Sequence, residues 1–141
     1  GYEKDDPIKS LVHNPDYEMP SPRPMLTADT PIRPTSMYSV SKMFTENLGR
    51  MYAEQHNMSI ICIRIGKVEI EDVPLNIRNA SVWCSHRDIL QMIDKAVHAP
   101  EDLKFAIVFA CSDNPTRYRD IEYARETLGF LPQDSAADHG F

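Results

Sequence analysis

Met58-Ser59-Ile60-Ile61-Cys62-Ile63-Arg64-Ile65-Gly66 is an almost unbroken apolar, β-branched run that stops at a glycine. A strand with apolar residues at nearly every position has both faces covered, as in a parallel sheet between layers of helices. Just upstream, Met37, Val40, Phe44, Leu48 and Met51 recur at three- and four-residue spacing. That spacing predicts an amphipathic helix from Met37 to about His56. Downstream, residues 67–80 read as a polar loop containing Pro74, and Ser81–Cys84 as a short extended piece. Ser85-His86-Arg87-Asp88 is a capping box, with Ser85 as N-cap and Asp88 at the third helical position. The helix it opens is expected to bury Ile89, Met92, Ile93, Ala96 and Val97 and to stop before Pro100. Phe105–Cys111 predicts a second buried strand. A last helix is expected from about Arg119 to Leu128, with Ile121, Ala124 and Leu128 inward and Gly129 as its stop signal. Helix–strand–helix–strand–helix is the order of an α/β layered fold with parallel strands.

Ahead of this pattern, residues 1–36 hold seven of the eleven prolines. Prolines every few residues work against helix and inner strand alike, so this segment reads as an irregular functional or connecting loop. The chain therefore divides into a Pro-rich segment (1–36), an α/β unit (37–135) and a short tail (136–141).

Its 141 residues are the size of one domain, and 42% hydrophobic with 26% charged residues is a globular balance. A net charge of -6 without a basic stripe argues against a nucleic-acid partner. No apolar run has the length of a membrane span, and no basic-then-apolar leader points to secretion. Cys62, Cys84 and Cys111 each lie in an apolar, strand-like run, which reads as buried free thiols of a reducing compartment, the cytoplasm by default. His13, His56, His98 and His139 have no acidic partner at ligand spacing, so no metal site is expected.

The chemistry-bearing motif is Tyr38-Ser39-Val40-Ser41-Lys42. Four residues make about one helical turn, so the phenol and the ammonium share a face. A cation fixed one turn from a phenol favours the phenolate, which gives a proton donor and acceptor for alcohol–carbonyl interconversion. The ammonium can also reach ribose hydroxyls of a dinucleotide. Taken alone, the pair reads first as a surface tyrosine and lysine on a helix, which the spacing could produce by chance. Ser39 and Ser41 read as helix-surface residues, His86 and Asp88 as parts of the capping box, and Trp83 as packing. Asn114 and Arg117 follow the carboxyl end of a strand, where open α/β sheets bind ligands.

The surrounding sequence chooses between the readings. A Pro-rich lead into Tyr-x-x-Ser-Lys, a helix ending Tyr52-Ala53-Glu54-Gln55, and a strand ending Ile63-Arg64-Ile65-Gly66 resemble the extended short-chain dehydrogenase/reductases, the NAD-dependent epimerase/dehydratase family. Leu128-Gly129-Phe130-Leu131-Pro132-Gln133-Asp134 is similar to the end of such enzymes. Arg78, the run Trp83-Cys84-Ser85-His86-Arg87-Asp88 and the run Val108–Asn114 bring the resemblance nearest to the uronate dehydrogenase-like branch.

The resemblance implies the C-terminal part of a Rossmann-like doubly wound parallel sheet, with the nucleotide-binding half absent from these residues. It implies Tyr38 and Lys42 as the catalytic pair, both also touching the cofactor, and Ile65 passing beside the nicotinamide. Arg78 is then the substrate contact, since a guanidinium grips carboxylate at two points, and reads equally as a solvated loop arginine. The implied cofactor is NAD. NADP stays open, because the residue that reads the 2′ position belongs to the fold's first half. The implied activity is oxidation or epimerisation of a small sugar or sugar acid, with nucleotide-sugar epimerase or dehydratase chemistry as the alternative within the class. The alternative outside it is a non-catalytic binding or assembly module.

Three departures from the family pattern stand out. Glycine occurs only at positions 1, 49, 66, 129 and 140, so the Gly-rich dinucleotide fingerprint is missing. The family's catalytic serine or threonine is also missing and is expected upstream of Gly1. Lys67 stands where the uronate branch carries a substrate-holding serine. On this reading Gly1 lies inside a fold, and the strand pair has open edges. Self-association, or association with the fold's first half, is therefore expected.

Overall fold

The computed structural model describes residues 1–14, 16–18 and 20–141; Pro15 and Met19 of the Pro-rich segment lie outside the described residues. Its centre is a parallel pair of strands, β1 (Ile60–Ile65) and β2 (Phe105–Ala110), in register from Ile60 opposite Phe105 to Ile65 opposite Ala110. Helices α1 (Ile8–His13), α2 (Met37–His56), α3 (Ile77–Ala80), α4 (His86–Val97) and α5 (Glu122–Leu128) surround it.

Alternation along the strands sorts their side chains between two layers. Ile61, Ile63, Ala106, Val108 and Ala110 face one way, into a cluster with Ile89 and Met92 of α4, Ala124 and Leu128 of α5, and Phe130. On the other face Ile60, Cys62, Arg64, Phe105 and Phe109 look toward α2. There the Arg50 guanidinium lies 4.2 Å from the Phe105 ring centre, and Arg64 pairs with Glu46. The result is α2, then the sheet, then α4 with α5, the layering that the sequence order predicts.

Gly66 ends β1 where the chain is most crowded. A Cβ built there would lie 2.0 Å from the Val82 carbonyl oxygen and 3.0 Å from that of Ala110. The Gly66 N–H bonds the Ala110 carbonyl at 2.7 Å, and Lys67 N–H bonds Val82 at 2.7 Å, so the strand end is held on both sides. Gly129 closes α5 in the left-handed region (φ 69°), the conformation expected of a helix stop.

Several expectations need correcting. Between Pro7 and Pro15 the Pro-rich segment does form a helix, α1, because the interval is long enough for a turn and a half. Ile8, Leu11 and Val12 bury its apolar face against Val82 and Tyr118, over the carboxyl ends of the strands. The polar loop 67–80 closes with α3, whose N-cap Asn76 accepts from Asn79 N–H at 2.9 Å. In α4, Met92 is buried but Ile93 and Val97 are exposed, since the sheet beneath them is only two strands wide among the described residues. Helix α5 begins at Glu122, later than expected; the Asp120 carboxylate accepts from Glu122 N–H at 3.2 Å and holds the turn before it.

The stripe Met37, Val40, Phe44, Leu48 and Met51 of α2 is exposed, Met37 at 82% and Phe44 at 67%. The face of α2 that meets the sheet carries Glu46, Gly49 and Ala53 instead, about half a turn away on the opposite side of the helix.

Candidate functional site

Helix α2 enters with Ser36 as N-cap, its hydroxyl accepting from Ser39 N–H at 3.1 Å. This fixes the first turn, and Tyr38 projects from it with 71% of its surface open to solvent. Lys42 follows one turn later, its Nζ 5.1 Å from the centre of the Tyr38 ring. The pair expected from spacing is thus formed, and both side chains line a cleft of about 1090 Å³.

Ile65 and Arg78 line the same cleft, so the four residues singled out in the sequence converge on one cavity. Ile65 stands half-exposed at the carboxyl end of β1. Its carbonyl accepts from Arg119 Nη1 at 3.1 Å. Arg78, on α3, is not free: its Nε donates to Glu3 Oε2 at 2.7 Å, while Tyr118 O–H donates to Glu3 Oε1 at 2.8 Å. Burial would raise the Glu3 carboxyl, but the hydrogen bonds from Arg78 and Tyr118 outweigh it and hold the group below its ordinary 4.5. Hydrogen bonding to Glu3 in turn raises Arg78. Burial pushes Tyr118 well above the usual phenol range, so it is a donor at neutral pH.

Deeper along the cleft, Glu46 of α2 receives both Nε and Nη2 of Arg64, at 2.8 and 2.9 Å, in a two-point pair that ties α2 to β1. Cys62 sits beside it, and burial raises its thiol. The thiols of Cys84 and Cys111 are buried and also raised by desolvation, Cys111 to about 11.

Glu3, Tyr118 and Arg119 were not foreseen. Glu3 and Arg78 are 75 positions apart, and Glu3 and Tyr118 are 115 apart, so no local pattern could join them. The other candidates are structural. Asn114 is buried and bridges the Trp83 carbonyl and Ala136 N–H, and Arg117 pairs with Asp113 and Glu122. His86 bonds the Glu69 carbonyl, and Trp83 packs edge-on against His139. Ser41 bonds back to the Tyr38 carbonyl.

The cleft runs along the whole of β1 to its carboxyl end, the end at which open α/β sheets take ligands, with the tyrosine and the lysine one turn apart on its wall. Residues 15–104 match the model of the NAD dependent epimerase/dehydratase family. The chain belongs to that family. It is 36% identical over 110 residues to an NAD-dependent glucose-6-phosphate dehydrogenase of Haloferax volcanii, covering 77% of this chain and 41% of that protein. To a uronate dehydrogenase of Agrobacterium fabrum it is 37% identical over 111 residues, covering 79% and 40%. Among solved structures, a uronate dehydrogenase from Agrobacterium tumefaciens complexed with NAD superposes with a TM-score of 0.76 at 33% identity, over 83% of this chain and 43% of that one. The chain spans about two fifths of the length of the relatives it matches.

Proposed function

We propose that this chain carries the catalytic and substrate side of an NAD-dependent dehydrogenase acting on a sugar or sugar acid. The observation that carries the reading is the convergence of Tyr38, Lys42, Ile65 and Arg78 on one cleft that runs along β1 to its carboxyl end. Family membership and the dehydrogenase names of the relatives support it.

The residues present fit one end of the cofactor. An exposed ammonium beside an exposed phenol suits the nicotinamide ribose, and the strand end at Ile65 suits the flat nicotinamide. The Gly-rich turn that cradles a pyrophosphate does not occur in these 141 residues. NAD, when bound, supplies the hydride acceptor. Tyr38 takes the proton of the reacting hydroxyl while the carbon–oxygen double bond forms. Lys42 holds a positive charge where it favours the deprotonated tyrosine oxygen and bonds the ribose hydroxyls. Arg78 orients the substrate with the donors that Glu3 leaves unused. The reading extends to an assembled state in which the exposed stripe of α2 is covered by a further copy.

Incubating the chain, joined by the half of the fold that carries the Gly-rich turn, with NAD and a panel of aldoses and uronates tests this by NADH absorbance and product analysis. Oxidised sugar formed with one NADH per turnover is the expected result. A substrate epimerised with no net NADH would move the assignment to the epimerases, and no turnover of any sugar would overturn it.

A further inference from the structure

Every arginine that lines the cleft already has a partner from the chain. Arg33 pairs with Asp5, Arg64 with Glu46, and Arg78 with Glu3, while Arg119 donates to the Ile65 carbonyl and carries Glu3 in its field. The pairing at Arg78 bears on substrate choice. Arg78 lines the cleft, and a carboxylate of the chain itself stands on its Nε at 2.7 Å.

Glu3 is also built in firmly. Its second oxygen accepts from the buried Tyr118, and the 3-10 turn that carries it, Tyr2–Lys4, is anchored by Tyr2 O–H on the Pro31 carbonyl at 2.6 Å. Gly1 packs against Arg33 and Thr35, on the segment that leads into Tyr38. Glu3 therefore belongs to the wall of the same cleft.

We infer that Glu3 sets the substrate class: by occupying Arg78 it makes the site one for a neutral sugar, and it disfavours a sugar acid. The inference rests on the proposed dehydrogenase reading and sharpens it. A uronate brought to Arg78 would either displace Glu3, leaving it without its cation, or lie beside it as a like charge. Both outcomes cost binding. A neutral sugar meets no such conflict. Its hydroxyls can accept from the free Nη groups of Arg78 and donate to Glu3, so acceptor and donor on the protein are both used.

The experiment compares sugars that differ at one carbon. The chain joined by the half of the fold that carries the Gly-rich turn is assayed with NAD on D-glucose against D-glucuronate and on D-galactose against D-galacturonate, in the wild type and in Glu3→Gln. The neutral member of a pair is expected to be favoured by at least about tenfold in kcat/KM, carried mainly by KM. Glu3→Gln removes the negative charge and is expected to raise the efficiency on the uronate relative to the neutral sugar by about tenfold. A wild type that prefers the uronate overturns the inference without any variant, as does a Glu3→Gln protein with an unchanged preference. Oxidation of none of the four sugars would overturn this inference alone; the dehydrogenase reading falls only if the wider panel of aldoses and uronates also gives no turnover.

Discussion

Ser112 O–H donates to Asp88 Oδ2 at 2.5 Å, in a pocket where both residues are fully buried. Asp88 also accepts from Gln133 N–H at 2.7 Å and Asp134 N–H at 3.3 Å, and Ser112 passes the contact on by accepting from Ser85 N–H at 3.0 Å. The capping box is therefore relayed. Ser85 caps Asp88 N–H directly, but the return bond runs through Ser112. One carboxylate joins the start of α4, the end of β2 and the segment after α5.

Replacing Asp88 with alanine strips the acceptor from three donors, of which the Ser112 hydroxyl is fully buried and the Gln133 and Asp134 N–H groups partly so. The expected loss is about 3 kcal/mol or more, at about 1–3 kcal/mol for each unsatisfied group. Asp88→Asn keeps the shape but turns an NH2 toward donors, so it is expected to cost a large part of the same amount. Urea denaturation of the two variants against wild type measures both.

Gly66→Ala is the most severe single-methyl change expected in the chain. The added carbon would lie 2.0 Å from the Val82 carbonyl oxygen, which is backbone and cannot swing aside. Relief requires breaking the bonds that Gly66 and Lys67 make to Ala110 and Val82, which opens the mouth of the cleft at Ile65. A loss of about 3–5 kcal/mol is expected. Circular dichroism melting will register it as a sharply lowered midpoint or no cooperative transition.

The strands, α2, α4 and the Tyr38–Lys42 pair were legible in the sequence because each depends on short-range spacing. Which face of α2 meets the sheet was not. The apolar stripe from Met37 to Met51 has the right period, yet the contact is made by Glu46, Gly49 and Ala53. The clue was Arg64, the one charge in an otherwise apolar strand, which needs a buried partner and finds it in Glu46. Ile93 and Val97 were read as inward on period alone. Whether a helix face is covered depends on how many strands lie beneath it, and a single helix cannot report that. Glu3 was beyond reach for a different reason: its two partners come from distant turns that only the folded chain brings together.

The carboxylates give the pH dependence a definite sign. Glu3 is held below 4.5, its hydrogen bonds from Arg78 and Tyr118 outweighing burial, and Asp134 below 3.8, chiefly by its bond from Arg87. A carboxyl depressed on folding stabilises the fold above its unfolded value, and that contribution is lost as pH falls through the folded value. Stability is expected to be level near neutrality and to fall below about pH 4.5, less steeply in Glu3→Gln. On the alkaline side the sign reverses. Burial raises the Cys111 thiol to about 11 from 9.0, so its contribution is present below pH 9.0 and lost as pH rises toward 11. Urea denaturation across the pH range will reveal both limbs.

The exposed stripe on α2 carries a physical consequence of its own. Met37, Val40, Phe44 and Met51 form a contiguous apolar surface on one helix face, the kind of patch that drives association in water. Concentration-dependent self-association is expected by sedimentation velocity. Phe44→Glu is expected to shift the distribution toward monomer, while thermal stability of the monomer stays within about 0.5 kcal/mol, as for other solvent-facing changes.

Tyr38 and Lys42 offer the cleanest separation of chemistry from folding. Tyr38 is 71% exposed, and its ring meets the Lys42 ammonium at 5.1 Å. Tyr38→Phe therefore removes one oxygen at little cost to the fold, and its melting midpoint is expected to match wild type. If that oxygen receives the hydroxyl proton, kcat on the best sugar substrate falls by about 10²–10⁴-fold, the range for loss of a positioned acid–base group. KM should change little, because the hydroxyl proton moves only in the transition state. Lys42→Met should differ in kind. It removes both the charge that favours the deprotonated tyrosine and the group proposed to hold the ribose, so kcat falls and the KM for NAD rises. Steady-state kinetics with sugar and NAD varied separately will distinguish the two signatures. Equal losses in both variants, with NAD affinity untouched, would show that Lys42 acts only through Tyr38.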